Sequence, residues 1–271
     1  MTARRLAYPQ VKSLDDVTAL REHLEGLGVD LPVDDDVRPG GELASTLTCA
    51  DGSAGDLTAP NRFVVLPMEG WDADPSGAPT DLVRRRWRRF GASGAGLVWG
   101  GEAAAVRHDG RANPNQLVVD AATAEPLASL LAELRTAADD VDVRPVVGLQ
   151  LTHSGRWSRP DGPPAPRTAR TDPVLDERVG AGPADVLTDG ELDELVETFV
   201  DAAVVARGAG FDFVDVKACH GYLGHELLMA RDRPGRYGGG LHGGARVLRR
   251  GGRGNPDLAP HPARRRRLHL Y

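Results

Sequence analysis

Residues 210–239 read GFDFVDVKACHGYLGHELLMARDRPGRYGG. The opening run Phe211–Val216 is short and rich in aromatic and β-branched residues, which predicts a strand. A helix is predicted just before it, because Thr188 and Glu191 have the spacing of a capping box and apolar residues follow them at helical spacing. A helix leading directly into a buried strand is the repeating unit of α/β proteins with parallel sheets.

The same alternation continues toward the amino terminus as far as residue 61. Further strands are predicted at Arg62–Leu66, Gly96–Trp99 and Pro145–Leu151, and further helices at Thr80–Phe90 and Glu125–Ala138. We therefore predict an α/β fold, a (β/α)8 TIM barrel of which about the first four β/α units are present. This partial barrel covers residues 58–239, and residues 1–57 form an N-terminal extension.

The alternation stops at Gly239. Residues 240–271 contain eight arginines and one acidic residue, whereas the residues before them contain 25 basic and 38 acidic residues. The whole chain has no isoleucine and 31 arginines against two lysines, which is typical of a GC-rich gene. We expect an irregular, disordered basic tail. One hypothesis is a shift of reading frame near Gly239, and the alternative is a genuine tail that binds a partner.

Composition excludes several classes of protein. The acidic body argues against nucleic acid as a partner. No apolar run reaches the roughly 18 residues of a membrane span, and Met1–Gln10 has no apolar core of a secretion signal. The two cysteines, Cys49 and Cys219, form neither a disulfide framework nor a metal-binding pattern. We expect a cytoplasmic protein without a metal.

Polar residues follow each of the four predicted strands. In β/α barrels the active groups lie where strands end and loops begin, so these residues are expected to meet at one mouth of the barrel. The four strand ends are Pro67–Glu69, Gly101–Ala103, Gln150–Arg156 and Lys217–Tyr222.

Four stretches together resemble the Old Yellow Enzyme family of FMN-dependent NADH:flavin oxidoreductases and ene-reductases. They are Asn61–Met68 (NRFVVLPM), Gly101–Val106 (GEAAAV), Gln150–Arg156 (QLTHSGR) and the quoted stretch 210–239. The resemblance implies an FMN across the barrel mouth and NADH or NADPH as the reductant. It also implies hydride transfer through FMN to an activated alkene or a related small-molecule acceptor.

The resemblance also implies which residues contact the flavin. Pro67 and Met68 match the first flavin loop of the family, and Ala103 matches the contact on the second strand. Gln150 matches the glutamine that binds the pyrimidine edge of the flavin, where an amide can both donate and accept hydrogen bonds.

Three residues of the quoted stretch carry the implied catalytic roles. Lys217 and His220 match the pair that binds the acceptor oxygen, where negative charge develops during hydride transfer. Tyr222 matches the tyrosine that gives a proton to the acceptor carbon. Two positions depart from the family pattern: Lys217 replaces the usual histidine, and Glu69 replaces a small polar residue near the flavin.

Other polar residues of these motifs are interpreted as structural. We assign that role to His153, Arg233 and Tyr237. A barrel enzyme often binds the cofactor phosphate through the loops after strands seven and eight, which this partial barrel does not include. We therefore expect impaired activity, with weak folding, aggregation or dependence on a second chain. The alternative is a non-catalytic fragment without cofactor. The sequence does not decide whether the chain forms a homo-oligomer.

Overall fold

A computed structural model describes residues 9–36, 38, 40–49, 56–239, 243 and 269–270. The chain divides into two compact units, residues 1–44 and 45–271. The helices of the described part are α1 (Val17–Leu27), α2 (Asp81–Ala92), α3 (Ala124–Asp139), α4 (Pro173–Val179), α5 (Asp189–Ala209) and α6 (Leu223–Met229). The strands are β1 (Leu47–Cys49), β2 (Leu57–Ala59), β3 (Val64–Val65), β4 (Leu97–Val98), β5 (Ala103–Ala105), β6 (Val146–Thr152), β7 (Phe213–Val216) and β8 (His269–Leu270).

The described part of the first unit contains the helix α1. Its amino end is capped by Asp16, whose carboxylate accepts a hydrogen bond from the Ala19 amide at 2.8 Å. Its carboxyl end stops at Gly28, which has a φ of +67°. A left-handed glycine is a common end for a helix because it carries no Cβ to oppose that conformation.

The second unit is built on a parallel sheet with the strand order β3-β4-β6-β7-β8, and β5 pairs with β6 beside β4. Helix α2 follows β3, α3 follows β5, and α5 precedes β7, so strands alternate with helices along the chain. Helices α2 and α3 pack together, as do α3 and α5. The predicted α/β class is confirmed, and each predicted strand segment overlaps a strand of this sheet.

The core lies between these helices and the sheet. One stripe of each helix is fully buried, as the spacing of apolar residues predicts. The stripe comprises Val83 and Trp87 of α2, Leu127, Leu130, Leu131 and Leu134 of α3, and Leu192, Leu195 and Val196 of α5. Val98, Val147, Leu149, Leu151 and Val214 of the sheet complete the same cluster.

The strands β1 and β2 form an antiparallel hairpin that covers one end of the sheet. Ala59 of the hairpin packs with Leu97 and Phe213, near the starts of β4 and β7. The hairpin therefore packs with the barrel sheet although it begins before residue 58, where the predicted barrel domain starts.

Helix α5 has the predicted capping box. The Thr188 hydroxyl accepts a hydrogen bond from the Glu191 amide at 3.2 Å, and the Thr188 amide donates to the Glu191 carboxylate at 2.7 Å. This backbone hydrogen bond and the Arg167 guanidinium lower the pKa of Glu191 to about 2. The helix ends at Gly210, with a φ of +101°. The capping box thus fixes where the last helix before β7 begins.

The structure adds elements that the sequence patterns did not predict. Helix α4 lies within the polar excursion after β6, and α6 follows the loop after β7. Residues 240–242, 244–268 and 271 of the predicted tail lie outside the described residues. Within that tail, His269–Leu270 form β8, which pairs parallel to β7 and which the prediction of an irregular tail did not include.

Candidate functional site

The ends of the parallel strands place the predicted flavin-contact residues in one row. The Ala103 amide donates to the Met68 carbonyl at 2.8 Å, which joins the loop after β3 to β5. Ala103 lies opposite Gln150 on β6, and Gln150 lies opposite Asp215 on β7. Three of the four predicted contacts therefore occupy adjacent backbone positions, and Pro67 directly precedes Met68.

Two glycines between β4 and β5 let the backbone approach this row. Gly101 has a φ of +54°, and a Cβ there would lie 2.5 Å from the Trp87 ring. A Cβ at Gly100 would lie 2.9 Å from the Cβ of Gln150 and 3.3 Å from that of Pro67. Both contacts are closer than side chains tolerate, so this part of the site requires glycine.

Gln150 is held by a residue that the sequence did not single out. Its Nε2 donates to Oδ2 of Asp215 at 2.6 Å. Burial raises the pKa of Asp215, although the Gln150 amide and the Lys217 charge oppose the shift. The only signal in the sequence is an acidic residue between Val214 and Val216 of an apolar strand. Asp215 thus orients the amide predicted to contact the flavin.

Glu69, Lys217 and Tyr222 form a compact polar cluster beside this row. The Glu69 carboxylate is ion-paired with the Lys217 ammonium. Its second oxygen accepts a hydrogen bond from the Tyr222 hydroxyl at 2.7 Å. The Lys217 nitrogen also lies 4.1 Å from the centre of the Tyr222 ring, close enough for a cation–π contact. Burial and the bond to Glu69 both raise the pKa of Tyr222.

His220 does not join this cluster. It lies in the turn Cys219–Tyr222, where the Tyr222 amide donates to the Cys219 carbonyl at 3.1 Å. His220 and Gly221 have φ values of +58° and +71°, the signs expected at the centre of a type I′ turn. Its side chain is exposed and makes no hydrogen bond with the described residues. Of the predicted catalytic residues, the structure brings together Lys217 and Tyr222, and the role of His220 stays a prediction.

His153 forms hydrogen bonds with backbone amides of the loops around the site. Its Nδ1 accepts a hydrogen bond from the Gly155 amide at 3.1 Å, and its carbonyl accepts one from the Leu223 amide at 3.2 Å. Burial lowers the pKa of His153 to about 4, although Asp109 opposes the shift. His153 therefore joins two loops: its neutral imidazole bonds within its own loop and its backbone carbonyl bonds the loop before α6, which supports the structural interpretation.

We expect acid to destabilise the domain through His153. Because its pKa is lowered from 6.5 to about 4 by burial, the unfolded chain binds a proton first as the pH falls. The stability that neutral His153 contributes is complete above pH 6.5 and is lost progressively as the pH falls through 4. Urea unfolding at several pH values measures the effect. His153→Asn should flatten this part of the profile, and an unchanged profile would contradict the assignment.

The motif arginine Arg156 holds the loops behind the site. It is fully buried and forms ion pairs with Glu226 and Asp176. It also donates a hydrogen bond to the Arg170 carbonyl at 2.8 Å. The Glu226 carboxylate accepts a hydrogen bond from the Ala169 amide at 3.0 Å. The network therefore joins the loop after β6, helix α4 and helix α6.

Arg233 and Tyr237 anchor the end of the motif stretch in the same way. Arg233 donates to the Ala169 carbonyl at 2.8 Å and to the Asp189 carboxylate at 3.0 Å. The buried Tyr237 donates its hydroxyl proton to Asp193 at 2.7 Å. Both contacts attach the segment after α6 to the start of α5, which agrees with their structural interpretation.

Glu102 is turned away from the site. Its carboxylate accepts a hydrogen bond from Arg86 at 2.6 Å, and Arg86 also forms a two-pronged ion pair with Asp72. Burial raises the pKa of Glu102 to about 7, although Arg86 opposes the shift. This carboxylate therefore belongs to the support of β5 and not to the acceptor cluster.

No cluster of three or more histidine, cysteine or acidic side chains fit to hold a metal occurs in the described part of the chain. In the same part, no helix is long and apolar enough to cross a membrane.

Comparison with proteins of known sequence gives consistent matches. NADPH dehydrogenase of Bacillus subtilis (strain 168) is 29% identical over 200 residues, which cover 72% of this chain and 55% of that enzyme. NADPH dehydrogenase of Bacillus pumilus is 31% identical over 199 residues, which cover 71% of this chain and 55% of that enzyme. The chain spans about half the length of the curated relatives it matches.

Solved structures show the same fold. Old Yellow Enzyme from a Pichia species superposes with a TM-score of 0.62 at 20% identity, over 78% of this chain and 55% of that one. The Old Yellow Enzyme homologue from Zymomonas mobilis gives 0.59 at 25% identity, over 78% and 59% of the two chains. These neighbours are TIM barrels, so the predicted α/β TIM-barrel class is confirmed. The number of β/α units in this chain stays a prediction.

The family model described as "NADH:flavin oxidoreductase / NADH oxidase family" matches residues 53–249, well over half of the chain. The match includes the described strand ends and extends past Gly239, where the composition changes. The predicted resemblance to Old Yellow Enzyme is thereby confirmed, and the chain belongs to the NADH:flavin oxidoreductase / NADH oxidase family.

Proposed function

We propose that this chain carries the flavin-ring and acceptor side of an FMN-dependent oxidoreductase that takes hydride from NADH or NADPH. The acceptor in this proposal is an activated alkene or a related small molecule. The observation that carries it is the meeting of Met68, Ala103, Gln150, Lys217 and Tyr222 at the ends of neighbouring parallel strands. When bound, FMN would supply the hydride transfer itself. The protein would bind and orient the flavin and the acceptor, and it would protonate the acceptor.

The residues at the strand ends suit a flavin ring. A Cβ at Gly100 would meet Gln150 and Pro67, so glycine at this position lets the two residues predicted to contact the flavin pack close together. Gln150 uses its amide nitrogen on Asp215, and its amide oxygen accepts no hydrogen bond from the described residues. That oxygen can accept from the ring N–H of a pyrimidine edge. Met68 is 41% exposed at the same mouth, available for contact with a ring.

Lys217 and Tyr222 suit the acceptor. An ammonium group held near the acceptor oxygen stabilises the negative charge that develops there. The Tyr222 hydroxyl, which donates to Glu69 in the structure, would turn to the acceptor carbon to give the proton that completes reduction. His220 is proposed as the second donor to the oxygen, a role for which its exposed ring must turn toward Lys217. The two free cysteines, Cys49 and Cys219, fit the cytoplasmic location that the proposal includes.

We further propose that this chain by itself supplies about the first four β/α units and is impaired as an enzyme. Among the described residues, β3 pairs with β4 alone, whereas a strand of a closed barrel has a neighbour on each side. Near this edge Phe63 is 54% exposed and Leu66 is 70% exposed. Apolar side chains at an open sheet edge favour aggregation or pairing with another chain. The loops that often bind a cofactor phosphate follow strands seven and eight of a barrel.

Titration of the purified chain with FMN and with riboflavin tests both parts of the proposal. We expect flavin absorbance and fluorescence to change on binding. The expected affinity is weaker than micromolar, so the binding free energy is weaker than about −8 kcal/mol. We also expect FMN and riboflavin to bind within about threefold of each other, because the residues of the proposed site contact the flavin ring and none is assigned to the phosphate. Sedimentation should show self-association.

Three outcomes of the titration are informative. A soluble monomer that binds FMN at micromolar affinity or better would overturn the proposed impairment. A strong preference for FMN over riboflavin would show that this chain does hold the phosphate. No response to either flavin would contradict the proposed function and support the non-catalytic alternative.

A further inference from the structure

Glu69 occupies both hydrogen-bonding groups on which the acceptor chemistry depends. One carboxylate oxygen is paired with the Lys217 ammonium, and the other accepts the Tyr222 hydroxyl. The side chains of Lys217 and Glu69 are 4% and 15% exposed, so water screens their pairing only partly. A carboxylate held between the two groups therefore determines the net charge of the site where a ligand would bind.

The charges around Lys217 leave no excess of positive charge for an anion. Glu69 and Lys217 cancel each other, and Asp215 on β7 interacts electrostatically with Lys217 as well. An anionic ligand at Lys217 would therefore lie close to the Glu69 carboxylate, and like charges in a partly buried site repel each other strongly.

A neutral carbonyl oxygen meets no such obstacle. An ammonium group has three N–H donors, and the pairing with Glu69 uses one of them. The other protons of Lys217 can donate to a carbonyl oxygen without displacing the carboxylate. The cation–π contact with Tyr222 holds the Lys217 nitrogen in place while it does so.

We propose that Glu69 determines the specificity of this site: it makes the acceptor site neutral overall, so that uncharged carbonyl ligands bind at Lys217 and carboxylates and phenolates are rejected. The inference rests on the proposed role of Lys217 as the donor to the acceptor oxygen. It does not require the chain to bind FMN tightly.

Benzamide and benzoate are a suitable pair of probes, since they share a shape and differ in charge. The chain contains two lysines, Lys12 and Lys217, so side-chain NMR of ¹⁵N-lysine-labelled protein gives one signal for the site and one internal reference. A Lys12→Arg variant assigns the two signals. Each probe is titrated into the full chain, first without flavin and then with FMN added.

We expect benzamide to shift the Lys217 signal at concentrations at least tenfold lower than benzoate does. In Glu69→Gln the affinity for benzoate should rise by about tenfold or more, which is ~1.4 kcal/mol, while that for benzamide changes little. Glu177→Gln removes the same charge from an exposed position on α4 and should leave both affinities unchanged. Glu69→Ser provides a second variant in case glutamine disturbs folding.

Equal binding of benzoate and benzamide to the unaltered chain would overturn the inference, and so would a benzoate affinity unaffected by Glu69→Gln. No shift of the Lys217 signal with either probe in any variant would also overturn it, because Lys217 would then bind no acceptor. Failure of the proposed function is distinguishable: the flavin titration would show no response while the charge preference at Lys217 could still be measured.

Discussion

Arg156→Ala is expected to lower the free energy of unfolding of the barrel unit by about 3 to 5 kcal/mol. The guanidinium is fully buried, and its removal leaves the carboxylates of Glu226 and Asp176 without their partner. An uncompensated buried carboxylate costs far more than a lost surface contact. Since domains are stable by only about 5 to 15 kcal/mol, this loss is a large fraction of the stability of the unit. Urea unfolding followed by circular dichroism measures the loss.

Arg88→Ala is the matched control for this change. Arg88 also pairs with a carboxylate, Glu133, at 2.6 Å, but its side chain is 50% exposed. A surface pair contributes about 0 to 1 kcal/mol, so the control should unfold nearly like the unaltered chain. Arg156→Lys should still lose most of the stability, because one ammonium cannot match the forked contacts of a guanidinium. Equal effects of Arg156→Ala and Arg88→Ala would show that the buried network contributes little.

Lys217→Gln is expected to slow acceptor reduction by about 10² to 10³-fold, the usual effect of removing a donor to a developing oxyanion. The change removes the charge that Glu69 and Tyr222 hold at the site and keeps a side chain of similar reach. The measurement is the rate at which an α,β-unsaturated ketone reoxidises the reduced flavin, in chain saturated with FMN. Lys12→Gln changes the other lysine, in the first unit, and should leave the rate within about twofold.

A double variant separates loss of the donor from the effect of an unpaired carboxylate. Lys217→Gln leaves Glu69 without its cation, whereas Lys217→Gln combined with Glu69→Gln leaves neither charge. If Lys217 acts on the acceptor, the double variant stays slow. Recovery of the rate in the double variant would mean that the unpaired Glu69 caused the loss and that Lys217 is not the oxyanion donor.

The order of the main elements, β3, α2, β4, α3, β6, α5 and β7, could be predicted from the sequence because it depends on local patterns. Apolar residues at helical spacing, short β-branched runs and the Thr188 capping box each act over a few residues. Alternation of strands and helices then requires a parallel sheet, and a parallel sheet places all strand ends on one side. This reasoning predicted that the strand ends meet, and in the structure Met68, Ala103 and Gln150 lie in adjacent backbone positions. Helix α6 was missed because it is short and follows a polar turn.

The state of the site was decided only by the tertiary structure. Glu69 lies 148 residues from Lys217 and 153 from Tyr222, and no local spacing indicates that one carboxylate serves both. The partnership of Gln150 with Asp215 depends on the register of β6 and β7. The exposed position of His220 follows from the left-handed turn that it occupies. Local periodicity thus determined which residues lie at the strand ends. The pairing of their charges depends on distances that strand register and loop path set. Only the tertiary structure therefore decided which of these residues are in contact.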